Sequence, residues 1–361
     1  MVRLYTARWL LPASAPPVRD GAVAVDAAGR IAYAGPAADA PAGETTPLGD
    51  AALLPGLVAF LPAGAEAVPA PAATTVATAD PRHADALLGA RRAVVYQPAA
   101  TLASLQRAVP ALRARFAPAS DRLRLGVAPA PLHETSEDAF LDLCAWAVGE
   151  NLPLAVQAGA TAAEVAFLRD AAGPHADALR ARGTTVVRRA HSAVHLLAEL
   201  GVAAVARPLL VGGSLFDESD VALAAYYGCP VAYAPPNAPP DPALGALGAL
   251  ADPLADPLAA VRDAGVPVAL VARDPFAAAL ALGTPPDAAF HLATLGAAQA
   301  LGLDAETGSL TPGKHADLCA FPLTPAELDV AETLGPAAAL ATAAQRPPTL
   351  ALVSGTPLRP A

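Results

Sequence analysis

Eight short apolar runs, separated by stretches with helical spacing, recur between residues 57 and 271. They constrain this 361-residue chain more than any other feature. The runs lie at 57–60, 74–78, 93–97, 123–128, 154–157, 208–211, 230–233 and 266–271. Between them, 101–116 carries Leu102, Leu105, Val109 and Leu112 at helical spacing. Residues 136–150 open on Ser136 as a cap and set Phe140, Leu141, Cys144 and Val148 on one face. Residues 161–171, 193–200 and 217–227 read the same way. Strands apolar on both faces need cover on both sides, which helices flanking a parallel sheet provide. Eight such units over roughly 250 residues predict an α/β protein with a (β/α)8 TIM-like barrel.

Both chain ends are of β type. Residues 22–25 and 30–34 flank the turn Asp26-Ala27-Ala28-Gly29, which predicts a hairpin. Residues 50–58 form a further extended run, and 316–321 and 349–354 return to strand composition. A small composite β-sandwich from 1–54 and 304–361, beside a barrel over 55–303, is the expected organisation. Within the tail, Thr324-Pro325-Ala326-Glu327 supplies an N-cap, a proline at the first helical position and a glutamate at the third, predicting a helix over 324–345. Between the first two barrel strands stand Pro62, Pro69, Pro71 and Gly64, which leave no room for a covering helix. The barrel is expected to lack its first outer helix. A second copy of the chain, a related paralogue or the 324–345 helix is expected on the bare flank.

The net charge of −10 argues against a nucleic-acid or anionic-membrane partner. No apolar run reaches the roughly 18 residues of a transmembrane helix, and the opening residues, broken by Pro12, lack a signal-peptide core. Cys144, Cys229 and Cys319 are too few and too far apart for a zinc pattern or a disulfide framework, so a cytoplasmic location is expected. The richness in alanine, 39 prolines and a single lysine (Lys314) fit GC-rich codon usage rather than a functional signal.

Several segments together resemble the amidohydrolase superfamily. They are Asp20-Gly21-Ala22-Val23-Ala24-Val25 with Gly29-Arg30-Ile31, then Leu54-Pro55-Gly56-Leu57-Val58, and the closing stretch Gly308-Ser309-Leu310 with Pro312-Gly313-Lys314-His315-Ala316-Asp317-Leu318. Leu152-Pro153-Leu154 and Leu196–Val202 are similar to the cytosine-deaminase-like, aminodeoxyfutalosine-deaminase-like branch. The resemblance implies a metal-dependent hydrolase of non-peptide C–N bonds, using zinc or iron. Such a protein has a His-x-His pair after strand 1, histidines on strands 5 and 6, an aspartate on strand 8 and a proton-carrying glutamate three residues past the strand-5 histidine. The bound metal makes a nucleophile of water near neutral pH, and carboxylates move the protons.

Aligned on those motifs, Leu61 and Ala63 stand at the first pair, Gln157 and Ala160 on strand 5, Gly212 on strand 6 and Arg273 on strand 8. Tyr233 stands where this branch carries another histidine. The expectation is a catalytically inactive pseudoenzyme without a zinc or iron cofactor, keeping a binding or assembly role as a homodimer or with a paralogue. The alternative is an active hydrolase or deaminase with a rearranged site. The residues named for a small polar ligand at the barrel mouth are His133, Gln157, Tyr233, Asn237, Arg273 and Asp274. Asp274 also reads as a cap. His191 and His195 read as a partly exposed helix pair ahead of strand 6.

Overall fold

The structure, a computed structural model, describes residues 2–62, 69–187, 191–235, 254 and 256–358. Along the chain come β1 (Arg3–Leu10), β2 (Val18–Val25), β3 (Ile31–Pro36), β4 (Glu44–Pro47), β5 (Ala51–Pro55), β6 (Leu57–Phe60), β7 (Ala73–Thr78), α1 (Ala84–Leu88), β8 (Arg92–Ala99), α2 (Leu102–Arg115), β9 (Leu123–Pro129) and α3 (Glu137–Gly149). Then follow β10 (Ala155–Ala158), α4 (Ala162–Asp170), α5 (Gly173–Ala181), α6 (Ala193–Glu199), α7 (Val202–Ala206), β11 (Leu209–Gly212), α8 (Glu218–Tyr227), β12 (Val231–Tyr233), α9 (Pro257–Asp263) and β13 (Val268–Leu270). The chain closes with α10 (Pro275–Ala281), α11 (Pro286–Ala293), α12 (Leu295–Ala300), β14 (Leu318–Pro322), α13 (Pro325–Leu334), α14 (Pro336–Ala343), β15 (Leu350–Val353) and β16 (Thr356–Pro357). Two compact units divide it: residues 1–78, 82–94 and 272–361, and residues 79–81 and 95–271.

In the first unit, β1–β5 and β14–β16 form one eight-stranded sheet. β1 runs antiparallel to β2, from Arg3 opposite Val25 to Leu10 opposite Val18. β14 joins the two chain ends, pairing β5 with Leu318 opposite Pro55 and β15 with Leu318 opposite Leu352. Its alternate residues enter a core of Leu10, Val23, Val25, Leu53, Leu318 and Leu352, as a half-buried strand requires. The expected extended run 50–58 is two strands, β5 and β6, which meet at Gly56. Its N–H donates to the Asp317 carbonyl, and a side chain there would meet Thr74 Oγ1 at 2.1 Å. β6 then pairs in parallel with β7. Residues 61–62 and 69–72, the described part of their connection, hold no helix.

The closing stretch of the family resemblance has a physical role in this unit. Asp317, 2% exposed, accepts Arg92 Nε at 3.0 Å and the Ser354 N–H at 2.7 Å. Arg92, equally buried, also donates to Ser354 Oγ at 3.3 Å. The buried pair thus has the added hydrogen bonds that a buried ion pair needs.

The second unit holds the parallel sheet β10–β11–β12–β13, with Ala158 opposite Gly212 and Gly212 opposite Tyr233. A parallel bridge joins Val127 of β9 to Leu154. Thr101, Ser136, Thr161, Ser192 and Asp217 each cap a following helix by accepting a backbone N–H of its first turn. Strand and helix alternate as the sequence predicts for the (β/α)8 fold class. The predicted 324–345 helix is α13 and α14, broken at Gly335 with φ 95°. No described helix is long and apolar enough to cross a membrane.

Candidate functional site

The C-terminal ends of parallel strands are where this architecture builds its sites. In the second unit those ends carry Gln157, Gly212 and Tyr233. Gln157 is half-buried, and its amide is engaged: Nε2 donates to Glu164 Oε2 at 2.9 Å. Glu164 lies in the first turn of α4 and is 2% exposed. Its carboxylate turns back onto the strand end, where the Gly159 N–H reaches Oε1 at 2.9 Å and the Ala160 N–H reaches Oε2 at 3.2 Å. Burial pushes this carboxyl above the usual glutamate range, against the pull of the donors from Gln157, Ala160 and Gly159. Glu164 was not anticipated from the sequence. The cue was present, since Thr161-x-x-Glu164 has capping-box spacing, but that pattern does not say where the carboxylate points.

Gly212 ends β11 with φ 136°. A Cβ built there would meet the Ala158 carbonyl oxygen at 2.5 Å and both Cα and Cβ of Ala160 at 2.8 Å. The ends of β10 and β11 have therefore closed on the space a side chain at 212 would need. Tyr233, at the end of β12, is 5% exposed, and burial, then the nearby Asp256, push its phenol upward. A Cβ on Gly213 would stand 3.5 Å from the Tyr233 ring.

His133 follows β9, and its side chain is 4% exposed. Its ring stacks on His175 of α5 at 3.9 Å and meets Phe167 edge-on. Burial lowers its pKa, as does His175, with Glu134 opposing. Its Nδ1 has no hydrogen-bond partner among the described residues. A cavity of about 250 Å³ in this unit is lined by Leu132, Phe167, Leu179, Val186 and Leu196; neither His133 nor Gln157 lines it.

Arg273 and Asp274 belong to the first unit. The Arg273 carbonyl accepts the Ala70 N–H at 2.9 Å. Asp274 caps α10 by accepting the Ala277 N–H at 3.0 Å, the capping role its sequence position suggests. It also lines a cavity of about 340 Å³ with Pro71, Phe276 and Leu280. Leu61 is fully buried. Ala63 and Asn237 lie outside the described residues.

Zinc needs three or four nitrogen, sulfur or oxygen donors. Leu61 and Gly212 supply none, Arg273 is a cation, and Gln157 has one amide oxygen to offer. Among the described residues no group of three or more His, Cys, Asp or Glu side chains gathers around a common point. The residues at the expected positions do not fit the metal centre that the resemblance implies.

The Amidohydrolase family model matches residues 52–356. No curated protein matches the sequence significantly. Among solved structures, an adenosine deaminase from Xanthomonas campestris with bound zinc is 20% identical over 98% of this chain and 92% of its own, with a TM-score of 0.71. The aminofutalosine deaminase of Helicobacter pylori is 14% identical over 99% of this chain and all of its own, with a TM-score of 0.72. An atrazine chlorohydrolase from Arthrobacter aurescens, complexed with zinc, is 16% identical over 99% of this chain and 95% of its own, with a TM-score of 0.65. Two of these neighbours hold zinc, and that corrects the expectation of a chain without a metal cofactor: the fold is one that carries zinc. The expectation failed because it equated the loss of familiar ligand positions with the loss of any metal, and other donors remain in the chain. Matched over most of its length to the family model, the chain belongs to the amidohydrolase family.

Proposed function

We propose that this amidohydrolase-family chain binds a small polar molecule without hydrolysing it. The observation that carries the reading is Gly212, where a Cβ would stand 2.8 Å from Ala160. By the family resemblance those two positions hold a metal-binding histidine and the glutamate that carries protons. Hydrolysis needs an activated water and a group to move its proton. Gln157 and Ala160 move none, and both oxygens of Glu164 are occupied by N–H donors. Gln157 and Tyr233 keep polar atoms suited to holding a ligand in the second unit, and Arg273 keeps a cation in the first. A second copy of the chain is the proposed partner. Its support is the connection from β6 to β7, whose described residues contain no covering helix.

The neighbours are deaminases and a chlorohydrolase, so the test measures ammonia release from aminopurine nucleosides and chloride release from a chlorotriazine, with zinc added. The expected result is no turnover above the protein-free blank. Zinc-dependent turnover that disappears in Gln157→Ala overturns the reading. Sedimentation velocity at micromolar concentration tests the partner, with a dimer expected and a monodisperse monomer against it.

A further inference from the structure

We propose that the stacked pair His133 and His175 is an acid-sensitive latch: it holds α5 against the loop after β9 and releases it when the pair takes up protons. α5 has 9 residues, no side-chain cap and one buried residue, Ala176. So short a helix is marginal by itself and depends on its packing. Arg180 secures its near end, donating to the Ala171 carbonyl at 2.5 Å, and pairs with Asp177 within the helix. His175 carries the helix onto its neighbours. Its ring lies on that of His133 with centroids 3.9 Å apart and 30° between planes, and it meets Phe167 of α4 edge-on at 6.4 Å. Leu179 of the same helix lines the cavity of about 250 Å³, so undocking α5 takes away part of that wall.

The surroundings of His133 suit a neutral ring. Its side chain is 4% exposed, and its Nδ1 has no hydrogen-bond partner among the described residues. Its Nε2 faces Glu134 Oε1 at 3.6 Å. A carboxylate only accepts, so the neutral ring keeps its proton on Nε2 and a lone pair on Nδ1. A second proton creates a buried N–H without an acceptor, and it sets a charge against another titratable imidazole. Among the described residues, the charged or titratable groups facing His133 are His175 from α5 and Glu134 from its own loop. α4 turns Phe167 to the pair and its Arg169 to Asp217. Glu134 is largely exposed, so water screens it, and it offsets one positive charge at most. Burial, then His175, hold His133 below the usual histidine range against the pull of Glu134. A histidine held down when docked takes a proton more readily once released. Docking is therefore favoured above about pH 6.5 and weakens as pH falls below it.

Hydrogen exchange of the full chain tests this between pH 7.5 and 5, with each rate divided by the intrinsic chemical rate at that pH. The amides of α5 are expected to open more often below about pH 6.5, by up to about tenfold per pH unit for each histidine that takes up a proton. α3, in the same unit, should keep its protection. His133→Phe and His175→Phe keep a flat ring that does not titrate. Each is expected to flatten the acid-side rise, and the double variant to abolish it. Imidazole NMR of the unsubstituted chain reads the same event without a substitution, and should find the pair gaining protons as α5 loses protection. Both rings protonated while α5 stays protected would overturn the proposal, as would a double variant whose acid-side rise equals that of the unsubstituted chain.

Discussion

Gly212 is the residue on which the site turns, because its backbone and its missing side chain act together. Its φ of 136° lies where a Cβ is disfavoured, and the atoms a Cβ would meet are backbone as well as side chain. Neither can swing aside as the tip of a long side chain would. Gly212→Ala should therefore destabilise the chain by more than about 2 kcal/mol, combining the backbone penalty with the displacement of β10. Urea unfolding checks it, and an unchanged midpoint would mean the strand ends are not closed. The sequence showed only that a glycine stands at the position of a family histidine. That the space itself is gone depends on how closely two strand ends approach, which no local pattern encodes. Glu164 was hidden for the same reason: its partners are the Gln157 amide and the Gly159 and Ala160 N–H groups, placed by a turn rather than by spacing.

Elements were more legible than contacts. The strand runs stood out because a parallel strand buried on both faces is apolar throughout, and each of the eight has a counterpart in β6–β13. The longer helices were legible from their caps and apolar spacing, whereas α5 and α7 are short and lack a side-chain cap. The break at Gly335 was itself legible, because Gly335-Pro336 ends one helix and starts the next with proline at its first position, and a single helix over 324–345 runs across that signal. One cap leads to a prediction. Thr324 and Glu327 close a capping box on α13, and Arg346 grips the Glu327 carboxylate through both oxygens, at 2.9 and 2.6 Å. The Arg346 hydrogen bonds, aided by Thr324, hold the Glu327 carboxyl down at about 2. A carboxylate with a depressed folded pKa stabilises above its unfolded value, and the contribution fades as pH falls from about 4.5 toward 2. With Arg346 40% exposed, solvent screening limits the effect to about 1–2 kcal/mol. Glu327→Gln should lose that stability at pH 7 and approach the unsubstituted chain near pH 2. Parallel denaturation curves across that range would contradict the assignment.

At the scale of the whole molecule, the first unit closes on residues from the two ends of the chain. β14 has β5 on one side and β15 on the other, so the last strands complete a sheet begun by the first. Removing residues 349–361 would take away Leu352 and Val353, both buried, and leave one edge of β14 open. It would also remove Ser354, whose N–H serves Asp317 and whose hydroxyl accepts from Arg92, and the Gly355 carbonyl that accepts Arg3 Nη2 at 2.6 Å. Burial of the two side chains alone is worth roughly 1.5–3 kcal/mol each, against a total of about 5–15 kcal/mol for an ordinary domain. The loosened Arg92–Asp317 pair adds to the loss, because a buried charge short of partners is costly. The truncated chain should therefore unfold at least about 5 °C lower than the full chain in calorimetry, with hydrogen exchange accelerating first in β14 and β5. A truncated protein that melts at the full-length temperature would mean that β15 and β16 do not hold the sheet together.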